Sequence, residues 1–507
     1  MQYSVLEYLE ESARKYPDKV AFLEQKQEMT FSETKRRALC IAKAIREACA
    51  LRRQPILVYL PKGVSCIASF MGILYSGNFY TPTDVKFPFP KLQGVMDVLH
   101  PALILTDTKN KAKLLENGVE PSTILNIEEI PSDIKHLDSS AFLADIISTD
   151  PVYTFFTSGS TGVPKGVIIS NQSIIDYIDW ACEKFHINTE TVMGNQSPFY
   201  FDISTQDIYA TLKCGATLAI IPEVDFIFPA KAVQFINEHN VNFLYWVPSA
   251  FVNISKLDLL DEMGMPHVHT MIFGGEVMPV KHLNYWRKHV PSLSCIANVC
   301  GPTETTVNYS CYIVDREFGD DEVLPLGQPL PNRELLLLDD DGQLVNKQGE
   351  LGELYVRGIA LSPGYYDNPE KTQEAYVQNP LQSIYPEKVY KTGDLAYYND
   401  RGELVYAGRK DFQIKHMGYR IELGEIEAAA MADDSVNDSC CLYDKAEEQI
   451  VLCYVGQASP VELKKFLTAK LPMYMVPGRF IPYDKFPYND NGKIDRKQLE
   501  KDIMTKQ

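Results

Sequence analysis

Long apolar segments are missing from this 507-residue sequence. No run of about 18 consecutive apolar residues occurs, and a transmembrane helix needs a run of that length. The first residues, MQYSVLEYLEE, are acidic and lack the apolar core of a secretory signal. The sequence therefore predicts no membrane insertion and a cytoplasmic location.

Cysteine motifs and positive charge are also scarce. The 11 cysteines show no CxxC spacing and no His/Cys cluster suited to zinc, so we expect reduced thiols rather than a disulfide framework or a zinc site. Lys and Arg together number 49 against 67 Asp and Glu, which gives a net charge of −18. This balance argues against a nucleic-acid-binding surface and against an anionic membrane surface.

The length and the hydrophobic pattern predict more than one domain. A chain of 507 residues exceeds what one core usually holds. Strand patterns at 55–60 and 102–106 flank a helical pattern at 65–75, and this alternation predicts a parallel sheet covered by helices. Composition changes near residue 410, so we expect a large domain at 1–410 and a small one at 411–507.

Two local structures are predicted from caps and turn residues. Ser32 follows Thr30 and Phe31 and is the expected N-cap of a helix that ends near Ala50. The glycine- and aspartate-rich stretch from Gly352, including Tyr390–Asp394, predicts short strands joined by turns.

The stretch TSGSTGVPKG at 157–166 combines glycines, hydroxyl side chains and one lysine directly after a strand-like run at 152–156. Such a loop can approach a polyanion and surround it with backbone N–H groups, which predicts phosphate binding. An ordinary surface turn is the alternative. The spacing is not that of a Walker A loop, which disfavours a kinase that transfers a γ-phosphate.

This loop resembles the signature loop of the adenylate-forming superfamily, which includes acyl-CoA synthetases, luciferases and adenylation domains of nonribosomal peptide synthetases. Further motifs of that superfamily follow in its order: NVCGPTETT from Asn298, TGD ending at Asp394, GRKD ending at Asp411, and NGKIDR from Asn491. The chain is most similar to a free-standing amino-acid adenylation enzyme, near D-alanine–carrier protein ligases. The implied α/β fold has a large N-terminal domain of parallel sheets covered by helices and a small α+β C-terminal domain.

The resemblance implies ATP and Mg²⁺ as cofactors, with Glu304 as metal ligand and with Lys165, Glu304 and Lys493 as catalytic residues. In the superfamily the residue before Gly301 is usually an aromatic that stacks on adenine, whereas here it is Cys300. The alternative for Lys493 is a surface lysine. The implied nucleotide-binding residues are Thr157, Ser158, Gly159, Ser160, Thr161, Gly162, Lys165, Asn298, Cys300, Gly301, Thr303, Asp394, Arg409 and Lys493.

Asp202 lies within an aromatic run. In the amino-acid-activating members that this chain resembles, the aspartate at this position binds the α-ammonium of the substrate. A capping aspartate at a strand end is the alternative. Glycine and polar residues among the implied pocket residues favour a substrate larger than alanine, although D-alanine stays an alternative. The implied pocket consists of Asp202, Ile203, Gln206, Tyr245, Ile272, Gly274, Val299, Val307 and Asn308.

The implied reaction activates an amino acid as its adenylate with release of pyrophosphate. Carrier-type LGGxS and condensation-type HHxxxDG segments do not occur in the sequence, so we expect transfer to the phosphopantetheine thiol of a separate carrier protein. Asp411 is the implied hinge of the C-terminal domain; a plain linker is the alternative. The rival functions are an acyl- or aryl-CoA synthetase, which Asp202 argues against, and a non-enzymatic ATP-binding scaffold.

Overall fold

The computed structural model describes residues 2–25, 27–132, 138–157, 163–487 and 494–505. These residues form two compact units. The first comprises the described residues of Met1–Val85, Leu99–Phe155 and Gly166–Lys410, and the second comprises those of Lys86–Val98, Phe156–Lys165 and Asp411–Gln507. The domain boundary after residue 410 stays a prediction. Among the described helices, none has the length and apolarity to cross a membrane.

The α-helices are α1 (Leu6–Lys15), α2 (Phe31–Ala48), α3 (Val64–Tyr75), α4 (Phe89–Leu99), α5 (Thr108–Glu116), α6 (Ser140–Leu143), α7 (Asn171–Lys184), α8 (Ile203–Cys214), α9 (Glu223–Ile227), α10 (Pro229–Glu238), α11 (Pro248–Lys256), α12 (Leu259–Met263), α13 (Val280–His289), α14 (Pro369–Ala375), α15 (Leu423–Met431), α16 (Pro460–Lys470) and α17 (Arg496–Thr505).

The strands are β1 (Val20–Glu24), β2 (Gln27–Thr30), β3 (Pro55–Tyr59), β4 (Phe79–Pro82), β5 (Leu103–Thr106), β6 (Ile124–Asn126), β7 (Pro151–Thr157), β8 (Lys165–Ser170), β9 (Val192–Asn195), β10 (Thr217–Ile220), β11 (Phe243–Trp246), β12 (Thr270–Gly274), β13 (Cys295–Cys300), β14 (Ser310–Ile313), β15 (Gln328–Pro329), β16 (Arg333–Leu338), β17 (Gly352–Gly358), β18 (Tyr376–Gln378), β19 (Lys388–Tyr398), β20 (Leu404–Arg409), β21 (Gln413–His416), β22 (Tyr419–Glu422), β23 (Val436–Asp444), β24 (Gln449–Gly456) and β25 (Arg479–Tyr483).

A nine-stranded sheet organises the middle of the chain, with the order β15-β14-β13-β12-β11-β9-β10-β1-β2. Its six central strands are parallel, while β14, β15 and β2 pair antiparallel at the edges. The chain passes from β9 to β10 on one side and then returns to β11 on the other side of β9. Such a change of direction opens a crevice at the carboxyl ends of the strands, where α/β proteins usually bind ligands.

A six-stranded sheet, β6-β5-β3-β4-β7-β8, contains the strand that precedes the glycine-rich loop. Its first five strands pair in parallel. The predicted strand at 55–60 is β3, which is buried along its whole length, and the predicted helix at 65–75 is α3. The prediction of parallel sheets covered by helices is therefore confirmed.

The remaining strands form smaller sheets. The strands β16, β17, β19 and β18 pair in that order, with β20 on β19. In the second unit β21 and β22 form a hairpin, and β23, β24 and β25 form a sheet. Helices α15 and α16 contribute Ile426, Leu463 and Leu467 to a separate apolar core beside that sheet. The predicted small α+β part is thus present.

Two local predictions need correction. The N-cap of α2 is Thr30, not Ser32, because the Thr30 hydroxyl accepts the Glu33 N–H while the Glu33 carboxylate accepts the Thr30 N–H. This reciprocal pair satisfies two amide groups at once. The stretch Tyr390–Asp394 is not a short strand followed by a turn but part of the 11-residue β19, in which Gly393 takes a positive φ of 74°.

Candidate active site

Asp202 stands immediately before α8, on the chain that leaves the carboxyl end of β9. Its backbone carbonyl accepts the Thr205 N–H at 2.9 Å, but its side chain makes no capping hydrogen bond. Burial raises the pKa of Tyr153, Tyr177 and Tyr245, and the nearby Asp202 carboxylate raises each further. The carboxylate therefore lies near a group of buried tyrosines, and the interpretation of Asp202 as a capping residue is not supported.

A chain of hydrogen bonds joins four buried side chains beside Asp202. The Asn308 amide nitrogen donates to Tyr177 Oη at 2.8 Å and to Tyr245 Oη at 2.9 Å. Tyr177 in turn donates to Gln206 Oε1 at 2.7 Å. All four side chains are at most 3% exposed. The chain links α7, α8, β11 and the segment after β13, so residues from four parts of the sequence meet at one polar cluster, here called the tyrosine–amide cluster (Tyr177, Gln206, Tyr245 and Asn308).

The backbone before Asn308 is strained. Thr306 and Val307 have positive φ values of 57° and 66°, which β-branched residues rarely adopt and which cost on the order of 1–3 kcal/mol each. The surroundings hold this conformation: Thr306 Oγ1 donates to the Ala360 carbonyl at 2.8 Å. A Cβ on Gly301 would lie 2.5 Å from Asn308 Cα, so this turn requires glycine at 301. The strained turn aims the Asn308 amide at the two tyrosines.

The apolar residues implied for the pocket lie on strands, on a helix and in a turn: Ile272 is on β12, Val299 is on β13, Ile203 begins α8, and Val307 lies between β13 and β14. Ile203, Ile272, Val299 and Val307 are at most 8% exposed. Gly274 pairs with Val299 across β12 and β13, and a Cβ at Gly274 would come within 2.7 Å of the Val299 carbonyl oxygen. Close strand packing is thus a sufficient reason for glycine at this position. The role of these residues in binding a substrate stays a prediction.

On β19 and β20 two of the residues implied for nucleotide binding are paired. Asp394 faces Arg409 in the register of the two strands, and the Arg409 guanidinium donates to its Oδ1 at 2.7 Å. Tyr309 donates to the other carboxylate oxygen at 3.3 Å, while the Cys300 thiol donates to Tyr309 at 3.1 Å. Burial raises the pKa of Tyr309, and both Cys300 and Asp394 raise it further. Cys300, the residue at the expected aromatic position, is thereby connected to Asp394 through one hydroxyl.

Glu304 is fully buried and held from several sides. Tyr365 donates its hydroxyl to Glu304 Oε1 at 2.9 Å, and the Ser362 N–H donates to the Glu304 carbonyl at 2.9 Å. The segment that carries Tyr365 also bonds to β8, since the Tyr366 N–H donates to the Gly166 carbonyl at 2.7 Å. Within the described residues no group of three or more His, Cys, Asp or Glu side chains could hold a metal. One carboxylate is nonetheless a usual protein contribution to Mg²⁺ when phosphate oxygens complete the shell.

The remaining predicted site residues are scattered. Thr157 and Lys165 lie at the ends of β7 and β8, where Thr157 Oγ1 donates to the Lys165 carbonyl at 3.5 Å. Asn298, on β13, donates to the Pro325 carbonyl at 2.8 Å, and Thr303 begins a short 3₁₀ turn. Asp411 is exposed and accepts the Gln413 N–H. Six further residues that were predicted to belong to the site lie outside the described residues: Ser158, Gly159, Ser160, Thr161, Gly162 and Lys493.

Three tyrosines of this site were not predicted from the sequence. Tyr177, Tyr309 and Tyr365 lie on α7, after β13 and after β17, and each hydrogen bonds to a predicted site residue far along the chain. Tyr309 directly follows the predicted Asn308, which was a usable signal. For Tyr177 the sequence gives only an aromatic in an apolar context, which is also the pattern of an ordinary core residue. Tyr365 stands in the stretch SPGYYDNP, which has the composition of a turn.

Comparison with known proteins gives a consistent result. A family model described as AMP-binding enzyme matches residues 9–366. Tyrocidine synthase 3 of Brevibacillus parabrevis is 30% identical over 504 residues, which are 98% of this chain but only 8% of that protein. The L-proline–[L-prolyl-carrier protein] ligase of Streptomyces coelicolor is 29% identical, with 93% of this chain and 91% of the ligase covered.

A solved structure has the same fold. It is the Vibrio cholerae adenylation domain AlmE in complex with glycyl-adenosine-5'-phosphate, and its TM-score against this chain is 0.86. The match covers 100% of this chain and 98% of the other at 20% identity. At that identity the likeness establishes the fold alone.

Proposed function

Because the chain belongs to the AMP-binding enzyme family, we propose that it is a ligase that activates an amino acid as its aminoacyl-adenylate. ATP is the second substrate and pyrophosphate the leaving group. The acyl group then passes to the phosphopantetheine thiol of a separate carrier protein, which forms a thioester and releases AMP. The similarity to a prolyl-carrier protein ligase along nearly the whole of both chains supports this last step.

The observation that carries the proposal is the position of Asp202. Its side chain makes no capping bond at α8, and its carboxylate is near enough to the buried Tyr177 and Tyr245 to raise the pKa of both. A carboxylate in such surroundings is stabilised by a cation that binds beside it. The α-ammonium of an amino acid is such a cation, whereas the fatty or aryl acid of a CoA synthetase has none.

The proposed chemistry consists mainly of positioning and charge neutralisation. Attack of a carboxylate on the α-phosphate of ATP brings two anions together, so cationic side chains must hold both groups. Lys165 and Lys493 have this role in the proposal, and Asp394 accepts the ribose hydroxyls with Arg409 as its partner. Glu304 would hold Mg²⁺, which supplies positive charge to the phosphates when bound.

The second half-reaction needs a different arrangement, because the thiol must reach the acyl-adenylate after pyrophosphate has left. We assign this change to the C-terminal residues 411–507 turning about Asp411, which removes Lys493 from the adenylate. The mixed anhydride is already activated. The chain therefore needs no further acid–base pair for thioester formation.

The test of the first half-reaction is ATP–pyrophosphate exchange across L- and D-amino acids, with fatty and aryl acids in parallel. We expect an amino acid to support exchange and Asp202→Ala to lower that exchange at least 100-fold, as for a charged partner left alone. The matched control is Asp107→Ala, because Asp107 caps α5 through a bond to the Asn110 N–H. It should lower stability by about 1 kcal/mol and leave exchange unchanged. Near-normal exchange in Asp202→Ala would reject the assignment.

The acceptor is tested separately. The enzyme with its preferred amino acid is offered a phosphopantetheinylated carrier protein, the same carrier without that group, and coenzyme A. Acylation of the first alone supports the proposal. Release of an acyl-CoA at a comparable rate would favour the synthetase alternative instead.

A further inference from the structure

Two cysteines meet where α7 and α8 pack against each other. Cys182 lies on α7, and Cys214 is the last residue of α8. The Cys182 thiol donates a hydrogen bond to the Cys214 sulfur, so the two sulfur atoms are neighbours although the residues are far apart in the sequence. Both thiols are free in the structure. The first compact unit therefore carries a reduced dithiol between two of its helices.

An ion pair joins the same two helices beside the thiols. Lys213, which precedes Cys214, donates to the Asp179 carboxylate. Asp179 and Cys182 are three residues apart on α7, so they lie on one face of that helix. Tyr8 of α1 donates to the same carboxylate at 3.2 Å, and the Lys213 ammonium lies 5.2 Å from the centre of its ring. Three helices thus hold the two cysteine-bearing faces together.

The two thiols differ in reactivity. The hydrogen bond from Cys182 lowers the pKa of Cys214, and the Lys213 ammonium lowers it further, against the opposing effects of burial and of Asp179. The same bond and burial raise the pKa of Cys182. The thiolate is the reactive form of cysteine. Cys214 is also partly exposed, whereas Cys182 is 8% exposed. Cys214 is therefore the sulfur that a small oxidant meets first.

A second pair of cysteines lies close together but differs in its surroundings. Cys440 and Cys453 stand opposite each other on β23 and β24, and both are fully buried. Burial raises the pKa of Cys440 to about 12. A thiol of that kind stays protonated and is shielded from oxidants in solution. Proximity is thus common to both pairs, while access to solvent and a neighbouring cation distinguish the pair on α7 and α8.

We propose that Cys182 and Cys214 form an oxidation site, at which hydrogen peroxide converts the dithiol into a disulfide between α7 and α8. The Cys214 thiolate attacks a peroxide oxygen; an S–O bond forms, the O–O bond breaks and hydroxide leaves. The Cys182 sulfur then attacks the sulfenic acid; an S–S bond forms, the S–O bond breaks, and the hydroxyl leaves with the Cys182 proton as water. The hydroxide takes the proton that Cys214 released. Two thiols are oxidised, and one peroxide is reduced to two water molecules.

The test follows this disulfide in the full chain. The reduced protein is freed of reductant and exposed to hydrogen peroxide under native conditions. The remaining thiols are then alkylated, and the proteolytic peptides are analysed by mass spectrometry over time. We expect the bond between Cys182 and Cys214 to form at least tenfold faster than any other disulfide in the chain, and dithiothreitol to reverse it. Faster formation of a Cys440–Cys453 bond, or alkylation of both proposed residues after other cysteines have reacted, would overturn the proposal.

Three variants assign the roles of the two sulfur atoms. Cys182→Ser leaves the Cys214 sulfenic acid without a partner, so dimedone should label Cys214 in that variant. Cys214→Ser should prevent the disulfide and leave Cys182 unlabelled; dimedone on Cys182 would contradict the proposed order of attack. Cys49→Ser is the matched control, because Cys49 is also partly exposed and donates to the Leu51 carbonyl. It should keep the wild-type rate of disulfide formation.

Two further variants test the charges beside the thiols. Lys213→Gln removes the cation and should slow disulfide formation at least threefold, whereas Asp179→Asn removes the opposing carboxylate and should accelerate it. Both substitutions break the same ion pair, so a purely structural role of that pair predicts changes in the same direction. Equal changes would therefore reject the influence of Lys213 on Cys214. If a variant does not fold, the peptide map of the wild-type chain still decides whether the site exists.

Discussion

The region around α8 and the region around β19 each bury an aspartate, but they balance its charge differently. Asp394 on β19 is joined to the Arg409 guanidinium at 2.7 Å and also accepts from Tyr309. Asp207 on α8 is 1% exposed and accepts from the Asn195 amide at 2.7 Å. Burial raises the pKa of Asp207 to about 7, although the Asn195 bond and the more distant Lys62 lower it.

This difference indicates how each region can recognise a ligand. The β19 region has fixed charges, which suit a nucleotide that carries charge and several hydroxyl groups. The α8 region consists mainly of neutral amides and phenols, where a charge is costly unless a partner comes with it. Discrimination between amino acids should therefore depend on α8 and its neighbours, and affinity for ATP on β19 and β20.

The largest expected effect comes from neutralising the β19 aspartate. Asp394→Asn keeps the shape but removes the carboxylate charge that is paired with Arg409, which typically costs about 3 kcal/mol of stability for a buried pair. We expect the KM for ATP to rise at least tenfold while the ratio of kcat/KM between two amino acids stays unchanged. Thermal unfolding and exchange kinetics measure the two quantities. A changed amino-acid ratio would contradict the separation of the two regions.

The fold and some of the residues compared above could be predicted from the sequence. The order of the motifs predicted the fold and named Asp394, Arg409 and Asp202, because these residues lie in short local patterns with glycine or aromatics. The Tyr177–Gln206 and Tyr309–Asp394 bonds were not predictable, since they join residues 29 and 85 positions apart. Contacts of that kind depend on how the strands are ordered in the sheet. No local pattern encodes that order directly.

Two rules that relate a residue type to local structure also gave wrong predictions, one for a helix N-cap and one for a turn. Ser32 satisfies the usual preference for an N-cap, yet Thr30 has the position because Glu33 is three residues after it and completes a reciprocal pair. The glycine of the TGD motif suggested a turn, but β19 continues through it with an irregular register near Leu395. Glycine there allows the positive φ without ending the strand.

A pH series tests the α8 side of the comparison. In the folded chain Asp207 has a pKa of about 7, raised above its usual value by burial, so the folded state binds a proton that the unfolded state releases between about pH 4 and 7. Its contribution to stability is complete below the unfolded pKa and is lost as the pH rises through the folded pKa. The loss should amount to about 2 to 3 kcal/mol between pH 5 and 8.

Asp207→Asn removes this titration and should be more stable than the wild type at pH 8, with a smaller difference at pH 5. Denaturant unfolding at both values measures it. The Asn195 amide keeps a carbonyl acceptor in the variant, so the bond is preserved. Parallel stability profiles for the two proteins would mean that Asp207 is ionised in the folded chain and that the α8 region tolerates charge.

The smallest effect concerns the nucleotide side, where Cys300 stands at the position for which the sequence resemblance implies an aromatic side chain. Cys300→Tyr should restore stacking on adenine, which is worth about 1 kcal/mol and therefore about a fivefold decrease in the KM for ATP. Cys300→Ser is the control, because it keeps a donor for Tyr309, 3.1 Å from the present thiol, without adding a ring. It should leave the KM for ATP near the wild-type value. Because neither change touches the tyrosine–amide cluster, the ratio of kcat/KM between two amino acids should stay constant in both variants.

The contradicting outcome is a Cys300→Tyr variant that changes this ratio of kcat/KM and leaves the KM for ATP unchanged. Cys300 would then contribute to amino-acid recognition, and β13 would belong to the amino-acid region rather than to the nucleotide region.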